Sequence, residues 1–421
     1  MYTERFLFFI VVIVLVLFLA VITEEWKLYI VVAVLLSELS LSALSMPDDV
    51  NIDADFRIDG ERFYLNDETI VNIVVHNRGD PVFAKIFLNV PSGVHIEDHY
   101  GLITRLKRDE TKSFNIKIRF VERGKFNIGP VSIVIQDPLG FISKGINIPI
   151  VKKIVVFPSL NTRGNLIFQA KRTGAWPGSI ISKQLGISME FHALRDYLPG
   201  DDIRRINWKA SARFGKMMSN EYESEKVTDT IVVIDVNGLT NRTSYEKVTL
   251  EACVSGAATL SYGLLAQGNR VGLICLGGAR NWVKPGFGKK QLLRILYMLS
   301  EVKAGKELPI NQVLLILAPF MLKPGSHIFF ISPLMDNSII DAVKDLIDEG
   351  YVVTVIFTFY DDTSDNPLSD LSIEILNLER ILLLHNLSSI ANTIIWDCKS
   401  DIIKTLSSSK QLLRRKYYAH H

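Results

Sequence analysis

The sequence predicts a multidomain chain in three structural parts: an N-terminal transmembrane helical hairpin, an all-β domain, and a C-terminal α/β domain with a mostly parallel sheet. Three observations carry that prediction. Residues 6–22 contain no charged residue and no proline. Residues 51–157 are short runs of alternating apolar and polar residues broken by turn residues. From about residue 230, fully apolar strand-like runs alternate with helical patterns.

The hairpin comes first. A bilayer helix needs about 20 apolar residues, and 6–22 nearly supplies that span. A second apolar run begins at Trp26, is clean to Leu36 apart from Lys27, and continues more weakly past Ser37, Glu38, Ser40 and Ser42 to Met46. Thr23, Glu24 and Glu25 form the polar turn between them. A cleaved signal peptide fits less well. The leader through Arg5 has little positive charge, the apolar core is long for an h-region, and no small-residue cleavage site is clear. A hairpin leaves the N-terminus and everything after Met46 on one side of the membrane. Glu38 is costly in lipid and is expected at the partner helix or the interface.

The β domain is expected over 49–158. Residues 70–75, 85–90, 114–120 and 131–135 alternate with period two. Asn77-Arg78-Gly79-Asp80-Pro81, Pro91-Ser92-Gly93, Arg123-Gly124 and Asp137-Pro138-Leu139-Gly140 punctuate them. That spacing without a long helical pattern predicts an antiparallel sandwich of immunoglobulin-like type. Residues 159–227 are less regular and read as a connecting segment.

The α/β domain is expected over 228–421. Residues 230–235, 270–276, 327–332 and 351–357 read as strands, and 245–266, 291–302 and 338–349 as helices. Strands alternating with helices call for a mostly parallel sheet covered on both faces. Ligands of such sheets bind outside the carboxyl ends of the strands, which points to the loops after Asp235 and Ser332.

Composition narrows the function classes. A formal net charge of +2 over 421 residues argues against general capture of nucleic acid, which needs a strongly basic face. Cys253, Cys275 and Cys398 lack metal-ligand spacing and make a poor disulfide framework. Buried thiols in a reducing compartment follow, so the globular domains are expected in the cytoplasm, anchored integrally in the cell membrane. Gly286-Phe287-Gly288-Lys289-Lys290 lacks the residues of a phosphate loop, and no nucleophile elbow is present. His95, Glu97 and His99 read as exposed polar side chains of a strand region, and Arg414-Arg415-Lys416 as a solvated helix end.

The densest polar stretch runs from Glu190 to Arg213. It resembles the signature of domain-of-unknown-function family 58, in which arginine, tyrosine, glycine-aspartate, arginine, isoleucine, an asparagine-tryptophan pair and Ser-Ala-Arg recur at fixed spacing. Arg195, Tyr197, Gly200, Asp201, Arg204, Ile206, Asn207, Trp208, Ser211, Ala212 and Arg213 meet that pattern. The stretches 123–130, 137–141 and 284–292 resemble the family as well, so the resemblance covers nearly the whole chain. Interleaved arginines and carboxylates, Asp196 among them, suit charge-assisted pairs that lock a loop. The block reads either as such a structural network or as a partner-binding surface. Hydrolysis on a metal held by Glu190, Asp196, Asp201 and Asp202 ranks third, because the adjacent arginines would satisfy those acids. Acids mixed among Arg204, Arg205, Lys209, Arg213 and Lys216 argue against a nucleic-acid patch.

The family resemblance implies a von Willebrand factor A-like (Rossmann-like) fold for the C-terminal domain. It also implies a partnership with MoxR-type AAA+ ATPases in assembling or remodelling protein complexes. Von Willebrand factor A domains end their first strand in Asp-x-Ser-x-Ser and bind a divalent cation there. Here Asp235 is kept, Asn237 takes the first serine position and Leu239 the second, while Pro333 stands where an aspartate is usual. Two expected oxygens are missing, so a degenerate metal site at Asp235 and Asn237 is expected, with Thr240 and Asp336 as substitutes. No cofactor is expected, and magnesium is the ion such a site would take. The leading expectation is a membrane-anchored, non-enzymatic scaffold or adaptor with a protein partner and membrane lipid around its hairpin. It would take no small-molecule substrate. The alternatives are an extracytoplasmic metal-dependent adhesion or envelope protein and a metal-dependent hydrolase.

Overall fold

The computed structural model describes residues 3–47, 49–97, 101–161, 189–224, 229–236, 244–276, 281–305, 310–335, 337–359, 379–398, 400–402 and 404–406. The chain divides into two compact units, Met1–Leu160 with Leu299–Glu301, and Asn161–Met298 with Val302–His421.

In the first unit α1 (Glu4–Thr23) and α2 (Trp26–Leu44) form the hairpin. Thr3 caps α1, its hydroxyl accepting from the Phe6 amide, and Glu24 turns the chain with a left-handed backbone. Both helices are candidate membrane spans: only 6% and 11% of their apolar windows are buried in protein. Glu38 is exposed and lies six residues before the end of α2, about 9 Å along the axis at 1.5 Å per residue. Its side chain is thus exposed rather than enclosed between the two helices.

The β domain follows as β1 (Ile52–Ile58), β2 (Arg62–Tyr64), β3 (Glu68–Asn77), β4 (Val82–Leu88), β5 (Val94–Ile96), β6 (Leu102–Leu106), β7 (Glu110–Phe120), β8 (Gly124–Ile128), β9 (Val131–Gln136), β10 (Ser143–Ile148) and β11 (Lys152–Phe157). One sheet has the order β1-β3-β7-β5 and a second the order β10-β9-β4-β6, both antiparallel throughout. A third sheet joins β2, β11 and β8. Strand side chains alternate between faces, and the inward set of each main sheet is apolar. Phe56, Val71, Ile73, Val75, Ile118 and Phe120 from one meet Ala84, Ile86, Leu88, Ile133 and Ile135 from the other in a single core. These sheets form the sandwich expected from the alternation.

One turn of the sandwich holds the hairpin. The Asp137 carboxylate, 4% exposed, accepts from the Ser42 hydroxyl at 2.5 Å and from the amides of Leu139 (3.0 Å) and Ile142 (2.7 Å). At the start of α1, the Thr3 amide donates to the Phe141 carbonyl (3.0 Å) and its hydroxyl to the Gly140 carbonyl (2.8 Å). The rings of Phe9 and Phe141 pack with centroids 4.6 Å apart. His95 and Glu97 lie on the sandwich surface, where Glu97 pairs with Lys117 (3.1 Å) and Arg119 (2.5 Å). Glu68 meets the same two cations, and the hydrogen bonds from Lys117 and then Arg119 hold its carboxyl below the ordinary range. His99 is outside the described residues.

The second unit opens with β12 (Met189–Asp196) and β13 (Met218–Ser224), an antiparallel ribbon around α3 (Trp208–Phe214). The described part of the expected connecting segment is therefore a hairpin. Then come β14 (Asp229–Asp235), α4 (Ser244–Ala266), β15 (Arg270–Leu276), β16 (Asn281–Gly286), α5 (Gly288–Glu301), α6 (Ile310–Met321), β17 (His327–Ser332), α7 (Ser338–Asp348), β18 (Val352–Phe359) and β19 (Asn392–Asp397). The sheet order is β16-β15-β14-β17-β18-β19, parallel except for the edge strand β16. β14 to β18 are buried almost end to end apart from the edge, as strands covered on both faces must be. α6 and α7 pack on one face through Leu314, Ala318, Ile339, Val343 and Leu346.

α4 contacts β14, β15, β17 and β18. It too is long and apolar enough to cross a membrane, yet 67% of its window is buried. Gly256 makes its close approach: a Cβ there would sit 2.7 Å from the ring of Trp396 on β19.

Candidate functional site

The signature block is the turn between β12 and β13, and its polar residues build it. Gly200, with φ +107°, permits the turn after Pro199, closed by the Asp201 amide on the Leu198 carbonyl (3.0 Å). Arg195 at the end of β12 then grips the Asp201 carboxylate with two nitrogens, each at 2.8 Å. Such bidentate, charge-assisted pairs fix orientation as well as distance. The Leu198 amide adds a third donor at 3.0 Å. The hydrogen bond from Arg195, then that from Leu198, holds the Asp201 carboxyl below its ordinary range. The Tyr197 hydroxyl donates to the Asp201 carbonyl (3.3 Å), and Asp196 pairs with Lys216 at 2.7 Å.

The second half of the turn is held through caps. Asp202 accepts from the Arg204 amide (3.0 Å) at the start of a short helical turn, Ile203–Arg205. Asn207 caps α3 by accepting from the Ala210 amide (3.0 Å) and ties the turn to β13 by donating to Asn220 Oδ1 (2.8 Å). The Ser211 hydroxyl donates to the Asn207 carbonyl (2.8 Å) and accepts from the Met218 amide (2.9 Å). Arg195, Asp196, Tyr197, Gly200, Asp201, Asn207 and Ser211 are thus brought together as one framework. Arg204, Trp208 and Arg213 are not part of it: all three are exposed. Leu198, Ile203, Trp208 and Phe214 are each between 60% and 67% exposed, an apolar group of which the sequence singled out only Trp208.

The expected metal position lies elsewhere in the second unit. β14 continues in the chain to β15 on one side and neighbours β17 on the other, so Asp235 ends the strand at the point where the winding reverses. Crevices for ligands form there in doubly wound sheets. Asp235 is 1% exposed and accepts from the Ser332 hydroxyl at 2.6 Å. Ser332 in turn accepts from the Leu334 amide (2.9 Å), and Leu334, itself buried, has φ +53°. A left-handed backbone at a non-glycine residue costs energy and is held by its surroundings. Asn237, Leu239, Thr240 and Asp336 lie outside the described residues, as do Arg414, Arg415 and Lys416. Among the described residues no group of three or more His, Cys, Asp or Glu is placed to hold a metal. Asp235 and Ser332 bring a carboxylate and a hydroxyl together at neighbouring strand ends, and Pro333 supplies no side-chain oxygen.

Ser332 escaped sequence reading as a partner of Asp235 because the two are 97 residues apart. Buried Arg380, whose guanidinium reaches Met335 Sδ at 2.8 Å, gave no signal either. Two of the thiols are shifted away from the thiolate: burial raises Cys253, which meets the Thr358 hydroxyl at 3.5 Å. Burial pushes Cys398 up to about 12. Reactive thiols show the opposite shift.

The chain is thus a candidate membrane-hairpin protein with a β-sandwich and a doubly wound α/β sheet. Residues 193–345 match the family described as "Protein of unknown function DUF58". A relative from Bacillus subtilis (strain 168), named "Uncharacterized protein YeaD", is 25% identical over 175 residues, 42% of this chain and 41% of the relative. The match therefore spans about two fifths of that relative's length. Among solved structures, an aerotolerance-related membrane protein from Bacteroides fragilis is 16% identical with a TM-score of 0.24, over 33% of this chain and 75% of that one. The CARDB domain of a Pyrococcus furiosus protein in complex with di-metal ions is 9% identical with a TM-score of 0.20, over 26% and 91%. Native α-2-macroglobulin from Escherichia coli is 14% identical with a TM-score of 0.23, over 27% and 17%. At such TM-scores the structural likenesses carry no functional argument.

Proposed function

We propose that this chain is a membrane-anchored, non-enzymatic adaptor, its globular units in the cytoplasm. In this reading the second unit is a von Willebrand factor A-like domain that binds a MoxR-type AAA+ ATPase during assembly or remodelling of protein complexes. The observation that carries the reading is the division of labour in the β12–β13 turn. Asp201 is taken up by arginine and a backbone amide, Asp196 by lysine, and Asp202 caps the short helical turn. Its tryptophan and several cations face solvent on a rigid frame. Exposed Trp and Arg on a fixed backbone are what protein interfaces concentrate. The strand order of the sheet and the position of Asp235 support the von Willebrand factor A-like assignment. The partner's identity comes from the family resemblance alone.

The test is reconstitution. The full chain in nanodiscs is mixed with the MoxR-type ATPase of the same organism, and complex formation is followed by analytical ultracentrifugation. A saturable complex supports the adaptor. Absence of any complex in every nucleotide state counts against the named partner.

One observation favours a second reading, an extracytoplasmic metal-dependent adhesion or envelope protein: Asp235 and Ser332 stand at the reversal point of the sheet. Calorimetric titration with magnesium decides between the two. Saturable binding that vanishes in Asp235→Ala would promote the adhesion reading.

A further inference from the structure

From the β12–β13 turn we infer that its outer surface, centred on Trp208, is a docking site for an acidic segment of a partner protein. The inference rests on the adaptor reading and names the chemistry of its contact. Between Ile203 and Arg213 the sequence holds Arg204, Arg205, Lys209 and Arg213 and no acid. All four are exposed. Arg205 acts on Asp201 through its charge. Among the described residues no ion pair joins Arg204, Lys209 or Arg213 to a carboxylate. Of the turn's own acids, Asp201 is committed to Arg195 and Asp196 to Lys216, while Asp202 accepts from the amide of Arg204.

The apolar component is equally specific. Trp208 is 66% exposed at the first position of α3, and Ile203, 67% exposed, lies just before it. Lys209 and Arg213 are four residues apart on α3, so they share a face beside the one that carries Trp208. An indole flanked by forked cations and held on a capped, twice-tethered turn is pre-organised, so little ordering cost opposes binding. Arginine pairs with carboxylates in bidentate fashion, and here arginines outnumber lysine three to one.

A protein segment fits this surface better than a bilayer. Exposed Asp202 at the patch edge opposes a continuous sheet of headgroup phosphates. A folded or extended acidic segment can place its charges on the arginines and avoid it. A duplex is disfavoured for the same reason and by the near-neutral net charge of the chain.

The experiment uses the full chain in native membranes with a photo-crosslinking benzoylphenylalanine in place of Ile203, and a control chain with the same group in place of Trp282. Expected is a protein adduct at position 203 whose crosslinked peptide is net acidic. Its yield falls at least about tenfold in Trp208→Ala, as for an interface anchor, and at least as far in Arg204→Glu/Arg213→Glu. Arg204→Lys/Arg213→Lys loses less than the charge reversal does. Thermal melts of each variant show whether the turn has survived. If charge reversal unfolds it, Arg204→Gln/Arg213→Gln takes its place, and no loss of yield there overturns the assignment. A lipid adduct, a basic or neutral peptide, or no adduct at position 203 overturns it too. A partner crosslinked only at position 282 overturns the docking site and leaves the adaptor intact. No partner at either position, with no ATPase complex in nanodiscs, defeats both.

Discussion

Asp201 and Asp235 are the same residue in opposite settings, and the contrast separates scaffolding from latent chemistry. Asp201 sits in a partly exposed turn and takes three hydrogen bonds, two of them from the Arg195 guanidinium. Its charge is matched by a cation that nothing has to remove from water completely. Asp235 is sealed at the end of a central strand, where it accepts from a neutral hydroxyl of the neighbouring strand at 2.6 Å. A carboxylate kept at a sheet end on a hydroxyl is set up differently from one neutralised by arginine. The first resembles half of an oxygen cage and the second a rivet.

The contrast can be broken by substitution. The largest effect is expected at the sheet. Asp235→Ala removes the acceptor of a buried hydroxyl and releases the strained Leu334 turn. It should cost about 3 kcal/mol in chemical denaturation of the second unit. Ser332→Ala should cost less, about 1–2 kcal/mol, because one donor is lost and no cavity of comparable size opens. If both variants melt like the parent, the pair is not structural.

In the turn the effects are smaller and local. Asn207→Ala strips the cap from α3 and one tie to β13, for about 1 kcal/mol. Amide exchange should quicken at Ala210 and Met218 while the sheet keeps its protection. Asp201→Ala should free the Leu198 amide to exchange and leave the melting of the sheet unchanged. Equal loss of protection in turn and sheet would show that the two sites are one cooperative unit.

The smallest effect is with pH. The Asp201 carboxyl is held below its ordinary range in the folded chain, so its contribution is present above the unfolded value and disappears as pH falls through the folded one. Acid titration followed by carboxyl NMR should show Asp201 still ionised at pH values where free aspartate is half protonated. A midpoint at the ordinary aspartate value would remove the Arg195 clamp from the account.

Legibility in the sequence followed how local the cause was. The hairpin was readable because lipid demands an uninterrupted apolar span, and residues 6–22 provide it. β3, β4, β7 and β9 were readable because one face of each meets the core and the alternation records it. β14, β15, β17 and β18 were readable as buried runs. β16 was not, since Pro285 and Gly286 within it are turn residues that an edge strand tolerates. β12 and β13 were missed because they pair only with each other, in a sheet of their own, and carry too many charges for a buried pattern. In the turn the residue types announced a polar network. Which of them would be framework and which would be presented depended on caps and tethers that only the folded turn defines. α4 makes the same point from the other side: its composition allows a membrane, and the small Gly256 under Trp396 is what commits it to the sheet.

The turn that holds Thr3 and Ser42 has a mechanical consequence. Both ends of the two-helix insert are fastened to a single corner of the β domain, through Asp137 at one helix and the Gly140 and Phe141 carbonyls at the other. A domain on a single flexible stalk could swivel and bob; this one is moored at two points. Its height above the lipid and its heading are set by the mooring, and a pull on the β domain reaches both helices together.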